Sequence, residues 1–313
     1  MNYILTGCPY HSLSPLNKYI KEFAGASLQL ISVEDILSVH VDYITVKNIE
    51  RVVRYTDIRC SFLRYPYDLI PPHAGSFELR ENIEFLKTIA LMLDSVAVNK
   101  LPSTWMLRNR GFSLREAKNY GVKIADFTLT KELRLPLKRE DFAVKAVGNC
   151  FVSETIRADL KGSKFFSIEE DDGDVATILP ASLMNHEEVS EYLNLTKTAF
   201  LQVPIKGARE YRGYIVGSEV FLYERNSYSG FDKSFADYQT TESKFPPSLK
   251  KSLMRLMNAY ELSYLCIDVI IDSIGQEWLI DLNPFGSFPN IQKLPEVTKC
   301  MADLIVSRSK HGG

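Results

Sequence analysis

The stretch Asp268–Gly286, DVIIDSIGQEWLIDLNPFG, sets two aspartates inside what otherwise reads as a pair of apolar strands. Side chains alternate along a strand, so in YLCIDVIID Asp268 shares a face with Cys266 and Ile270, and in WLIDLN Asp281 shares one with Asn283. If the turn is centred on SIGQ with Asp272 facing Glu277, antiparallel register places Asp268 opposite Asp281, about 5 Å apart on one face. Opposed like charges destabilise a sheet, and an unpaired buried carboxylate costs several kcal/mol. One resolution is a hard cation: two carboxylates and the Asn283 carboxamide form an all-oxygen set suited to Mg2+. The other is that one aspartate faces solvent while its fellow caps the turn. On the cation reading, neutralising one carboxylate relieves repulsion and raises the melting temperature of the metal-free protein.

A magnesium held in this way implies a nucleotide, and a nucleotide needs cations for its phosphates. Lys145 is a lone lysine inside the apolar strand FAVKAVG, where snorkelling at a sheet edge competes with phosphate contact. Arg212, at the start of the strand YRGYIVG, offers a planar fork that fits a phosphoryl group bidentately, although arginines are commoner at surfaces.

Composition narrows the partners. The chain has 313 residues, 45% hydrophobic and 24% charged, enough for two or three domains with real cores. A formal net charge of −2 gives no global reason to bind nucleic acid or an anionic membrane, so any basic site is local. No apolar run approaches the roughly 18 residues of a bilayer span, and MNYILTGCPY lacks the layout of a signal peptide, so a cytoplasmic location is expected. The five cysteines are scattered singly, which reads as reduced thiols, and no histidine has zinc-ligand spacing. No G-x-S-x-G elbow is present.

Hydrophobic periodicity organises the rest. NYILTG and LQLISV read as strands flanking a helix, SPLNKYIKEF, with Leu16, Ile20 and Phe23 inward; IRCSFLRYP and the helix SFELRENIEFLKTIALMLDSV complete a small α/β unit. In RGFSLREAKNYG, Ser113 and Glu116 suggest a capping box and Gly121 a C-terminal stop. Antiparallel strands follow, with hairpins at Gly217–Ser218 and at Asp172–Gly173. YSGFDKSFADYQTTESKFPP reads as a loop, and SLKKSLMRLMNAYEL as a helix with Leu249, Leu253, Leu256, Met257 and Tyr260 on one stripe.

In chain order, a strand-borne lysine, LQVPI, an EYR strand and then D…DLNPFG resemble the ATP-grasp ligases. Their final signature has a metal-binding acidic residue on one strand and Glu-x-Asn-Pro on the next; here Asp281 stands where Glu is commoner. SFLRYP, the long helix after it, VNKLPS, RGFSLREAKNYG and DFTLTKE resemble more specifically the graspetide ligases of the microviridin type, which close macrolactone and macrolactam rings in peptides. Further positions depart from that pattern: Arg110 replaces the usual lysine at the start of the central helix, Ala146 the proline after the strand lysine, and ADYQ (Asp237, Tyr238, Gln239) has glutamine where an arginine is common, a charge that Arg225 could supply.

The resemblance implies an α/β (α+β) protein with the ATP-grasp fold: an N-terminal Rossmann-like α/β domain (1–100), a central domain (101–200) and a C-terminal antiparallel-sheet domain (201–313), with ATP between the last two. It implies ATP and Mg2+ as cofactors. Lys145 would hold the α- and β-phosphates, with Arg110 also on the nucleotide. Gln202, Val203, Pro204 and Ile205 would form the adenine hinge, assisted by Lys206. Glu210 would lie near the ribose or metal, Arg212 on the γ-phosphate and acyl phosphate, and Asp268, Asp281 and Asn283 on magnesium. Lys145 and Arg212 would be the catalytic pair.

The implied partner is a precursor peptide with a leader and a core of Thr, Ser or Lys plus Glu or Asp; a homodimer is compatible with it. Arg64 in SFLRYP and the acidic hairpin Glu169, Glu170 and Asp172 would touch that peptide. The alternative for the hairpin is a solvated tip that keeps a strand edge from aggregating. ATP would activate a side-chain carboxylate as an acyl phosphate for attack by a hydroxyl or amine, the protein contributing mainly electrostatics. A RimK-like ligase of amino acids or protein termini is a rival reading. A silent ATP sensor is another, disfavoured by the retained acidic pair with Asn283.

Overall fold

The computed structural model describes residues 2–7, 14–25, 28–63, 76–132, 141–145, 151–152, 167–171, 174–178, 182–205, 209–225, 238–242, 245–284 and 294–311. In the N-terminal third, β1 (Asn2–Gly7) runs parallel between β2 (Leu28–Ser32) and β6 (Ile58–Leu63). Parallel neighbours need a crossover, and α1 (Ser14–Ala24) supplies the first. It buries Leu16, Ile20 and Ala24, an i, i+4, i+8 stripe; Phe23, expected inward, is exposed and stacks on Tyr19. Residues 36–54 add an antiparallel sheet that the sequence reading did not foresee: β3 (Ile36–Val39), β4 (Tyr43–Val46) and β5 (Val53–Arg54), strands too short for a clear period.

Three helices follow, α2 (Ser76–Met92), α3 (Leu101–Arg108) and α4 (Arg110–Asn119). The expected Ser113–Glu116 capping box is not the start of α4. Asn109 is the N-cap, its side chain accepting from the N–H of Phe112 at 3.0 Å, while Ser113 lies one turn in and donates to the Arg110 carbonyl. Gly121, with φ +90°, follows the helix as expected.

The central sheet has the antiparallel order β12-β8-β13-β7, from β7 (Phe127–Thr130), β8 (Asp141–Lys145), β12 (Ser182–Asn185) and β13 (Ala199–Gln202). One face packs under α5 (His186–Thr196), burying Phe142, Val144, Met184, Val189, Tyr192, Leu193, Ala199 and Leu201. Asn185 and Glu188 form a reciprocal capping box at the start of that helix. A separate sheet is formed by β9 (Phe151–Val152), β10 (Ser167–Asp171) and β11 (Asp174–Ile178) in the order β10-β11-β9.

The C-terminal sheet is antiparallel with order β16-β15-β14-β17-β18, from β14 (Arg209–Val216), β15 (Glu219–Arg225), β16 (Tyr238–Glu242), β17 (Tyr264–Ile271) and β18 (Glu277–Asn283). β16 lies inside the stretch expected to be a loop, where pairing with β15 supplies order that polar residues do not advertise. One sheet face carries Ile215, Leu265, Ile267, Val269, Leu279 and Leu282 and packs on α6 (Pro247–Ala259) and α4. At one end of the other face, Tyr214, Val216, Tyr264 and Cys266 meet α7 (Pro295–His311), β1, β6 and α1 in a shared core. The N-terminal unit is therefore packed on the C-terminal sheet through α7.

Cys60, Cys266 and Cys300 are free thiols, and burial pushes the Cys60 thiol up to about 12, which makes it inert. Cys8 and Cys150 lie outside the described residues. Among the described residues no helix is long and apolar enough to cross a membrane.

Candidate functional site

The hairpin of β17 and β18 brings Asp268 directly opposite Asp281, as the sequence indicated, by a different route. Near the turn Ile271, not Asp272, faces Glu277, and a bulge between the Val269–Leu279 and Asp268–Asp281 pairs restores the register. Asp272 is withdrawn from pairing because it builds the turn. Its Oδ1 accepts from the N–H groups of Ile274 and Gln276 at 3.1 and 2.8 Å, and its Oδ2 from Trp278 Nε1 at 2.9 Å. The Trp278 bond is the main cause that holds its carboxyl below the usual aspartate range.

Across four strands, pairing aligns Tyr223, Arg212, Asp268 and Asp281 in one row, with Asn283 opposite Cys266 in the next. Glu210, two residues before Arg212 on β14, shares that face and is half-buried. Arg212 and Asp268, each 9% exposed, form an ion pair with Nε 2.6 Å from Oδ1, and Nη2 donates to Oδ2 at 3.2 Å. Nη1 donates to Cys266 Sγ at 3.2 Å. At the edge strand, Arg110 Nε donates to Asp281 Oδ1 at 3.1 Å, in a pair with side chains 22% and 26% exposed. The repulsion expected between opposed carboxylates is thus offset by two guanidinium groups, in a line of charge signed plus, minus, minus, plus. The expected stabilisation on neutralising Asp268 does not survive this geometry, since removing that carboxylate would strand a buried arginine.

The central sheet contributes a second surface. Pairing sets Leu183, Ala143, Gln202 and Phe127 in one row, and positions 145, 200 and 129 in the next. Phe127 stacks on Phe200 at 4.9 Å, and the Arg110 guanidinium carbon lies 5.8 Å from the Phe200 ring centre. Arg110 therefore touches both surfaces. Gln202 is 2% exposed, and its Nε2 has no hydrogen-bond partner among the described residues. Leu183 and Leu129 are exposed on this face although they flank buried neighbours. Sequence reasoning missed these apolar members because leucine in a strand carries no mark of what covers it.

The hinge segment is narrower than expected. The Val203 N–H donates to the Asp126 carbonyl at 2.9 Å, and Pro204 has no N–H, so the Ile205 N–H and the segment's carbonyls are what remain for a base edge. Lys206, Arg64 and Asp172 lie outside the described residues, as do the side chains of Lys145, Glu169 and Glu170; β10 and β11 pair as the expected hairpin. Among the described residues no cluster of three His, Cys, Asp or Glu side chains forms a metal site. Asn283 lies two residues beyond Asp281 on the same strand and face.

Asn99, which sequence reasoning used only as part of a motif, ties the site together. Its Nδ2 donates to the carbonyls of Tyr264 and Pro284 at 2.8 and 2.7 Å, and its Oδ1 accepts from the N–H groups of Ser263 and Tyr264 at 2.8 and 2.9 Å. The start of β17 and the residue after Asn283 are thereby fixed to one side chain.

The fold is that of the ATP-grasp ligases. The chain superposes on a Chryseobacterium gregarium RiPP-associated ATP-grasp ligase, solved with ADP and a leader and core peptide, with TM-score 0.70 at 18% identity, over 98% of this chain and 97% of that one. It matches the Microcystis aeruginosa MRC macrocyclase MdnC, bound with precursor peptide MdnA, with TM-score 0.71 at 16% identity, over 98% and 99%. The ATP-grasp ligase PsnB, solved with a minimal precursor, Mg and ADP, gives TM-score 0.64 at 12% identity, over 98% and 97%. No family model matches the sequence, and no curated protein matches it.

Proposed function

We propose that the protein is an ATP-dependent ligase that joins side-chain carboxylates of a precursor peptide to hydroxyl or amine side chains of the same peptide. The observation that carries this reading is the row Arg212, Asp268, Asp281 with Asn283 beside it, set on the sheet of an ATP-grasp fold. The donor chemistry fits magnesium: Asp268, Asp281 and Asn283 are all-oxygen ligands on one sheet face, and they would hold the ion. Once bound, it would supply charge neutralisation for the phosphoryl oxygens.

The remaining work falls to the chain's own residues. On the face that carries Ala143 and Gln202, the exposed Leu183 offers an apolar contact for a purine, and the buried Gln202 carboxamide offers a donor to its edge. Lys145 lies in the next row of the same sheet, where a phosphate chain leaving that contact would pass. Arg212 meets the transferred phosphoryl group, whose charge a fixed guanidinium stabilises. A peptide carboxylate takes the γ-phosphoryl group and ADP leaves. The hydroxyl or amine then attacks the acyl carbon, phosphate departs, and the nucleophile's proton is lost to solvent. Arg64 and the β10–β11 hairpin with Glu169, Glu170 and Asp172 belong to the peptide side of this proposal, as do the division at 1–100, 101–200 and 201–313, a homodimeric assembly and a cytoplasmic location. Support for a peptide substrate is that the similar Chryseobacterium gregarium ligase was solved with a leader and core peptide and MdnC with a precursor peptide.

Incubation with ATP, Mg2+ and precursor peptides rich in Thr, Ser or Lys and Glu or Asp tests the reading. ADP release matched by loss of one water mass per cross-link is expected. ADP release only with free amino acids as acceptors would replace it with the RimK-like alternative.

A further inference from the structure

The four charges of the row itself, plus, minus, minus, plus, sum to zero without any metal, and the half-buried Glu210 stands on the same face two residues from Arg212. Each carboxylate of the acidic pair already has a guanidinium within ion-pair distance: Arg212 on Asp268 at 2.6 Å and Arg110 on Asp281 at 3.1 Å. A divalent cation approaching this row meets carboxylates whose charge is spent and two arginines that repel it. We propose that Arg110 and Arg212 are resident counter-ions of the acidic pair, so that a divalent cation gains its ligands only when the nucleotide's phosphates take the arginines over. This rests on the nucleotide reading above.

The two pairs differ in how readily they open. The Arg212–Asp268 pair is buried, while Arg110–Asp281 is about a quarter exposed and lies on the edge strand. Opening a partly hydrated pair costs far less than opening a buried one. Arg110 also keeps an anchor when it lets go, because its guanidinium already lies over Phe200, on the central-sheet face that carries position 145. Asp281 is thus the first ligand released. Arg110 moves its charge toward the phosphates while staying over Phe200, and the metal and the nucleotide strengthen each other's binding by the same factor.

The test is Mn2+ binding, read from the free-ion paramagnetic resonance signal, with and without ADP. Arg110→Gln keeps a donor of similar reach and removes the charge. It is expected to bind Mn2+ without nucleotide about fivefold more tightly than wild type, the worth of a partly exposed ion pair, and to show a smaller gain on adding ADP. Arg110→Lys, which keeps the charge, is expected to show no such increase. Wild type provides a readout independent of variant folding. The Nε–H resonance of Arg110, assigned by its absence in Arg110→Lys, should hold its position in Mg2+ alone and shift with Mg2+ and ADP together. Equal Mn2+ affinity in Arg110→Gln and wild type, or a shift with Mg2+ alone, overturns the counter-ion role while normal ADP binding leaves the nucleotide reading standing. Failure of wild type to bind ADP under any condition removes both.

Discussion

Asp268→Asn should destabilise the protein in the absence of metal and nucleotide, although it removes one of two opposed negative charges. The arginine it faces is 9% exposed and contacts Asp268 through both Nε and Nη2. Stranding one member of a buried pair costs about 3–5 kcal/mol. Arg212 retains the Cys266 thiol as an acceptor at 3.2 Å, and asparagine preserves one carbonyl oxygen, so the lower end, about 3 kcal/mol, is expected. At 2–4 °C per kcal/mol for chains approaching this size, the melting temperature should fall by roughly 6–12 °C. Asp281→Asn is the internal control, because its pair with Arg110 is a quarter exposed and should cost about 1 kcal/mol or less. Thermal melts of the two variants with chelator and no nucleotide measure the difference. An equal effect in both, or a higher melting temperature for Asp268→Asn, would refute the claim that Arg212 rather than a cation balances Asp268 in the free protein.

Gly213→Ala sets a methyl carbon 2.8 Å from Ile267 Cγ1 and 3.1 Å from Phe245 Cε2, so a loss of about 1–3 kcal/mol is expected in urea unfolding. Asn99→Ala removes four hydrogen bonds to Tyr264, Pro284 and Ser263; a loss of about 2–3 kcal/mol should appear with faster amide exchange at Ser263 and Tyr264. Burial raises the Tyr192 phenol to about 12, against the opposing pull of Arg110. A raised folded value gives stability that is whole below the ordinary value near 10 and is lost as pH climbs through about 12, a swing of about 3 kcal/mol. Tyr192→Phe should therefore flatten the alkaline limb of the stability–pH curve, and an unchanged limb would show that the phenol does not titrate in that window.

What local physics controls was legible in the chain itself. Alternation placed Asp268 with Cys266 and Asp281 with Asn283, the helical stripe holds for Leu249, Leu253, Leu256 and Met257 while its fifth member Tyr260 is the C-cap and only half-buried, and Gly217 and Gly121 marked a hairpin and a helix end. These depend on periods of two and 3.6 residues and on backbone conformations that few residues adopt. The α4 cap was misplaced because Ser113 fits the capping pattern as well as Asn109 does, and only the direction of the incoming chain separates them. The bulge beside Asp281 was invisible, since Asp272 could pair or build the turn, and the bonds from Ile274, Gln276 and Trp278 decided it. Tertiary structure alone determined which charges meet. Arg110 and Asp281 are 171 positions apart and Arg212 and Asp268 are 56 apart, and no local period couples such positions. The sequence marked the acidic pair as needing compensation, and the folding of α4 and β14 against β17 and β18 made arginine the group that supplies it, because a partner brought by the fold itself costs no binding entropy.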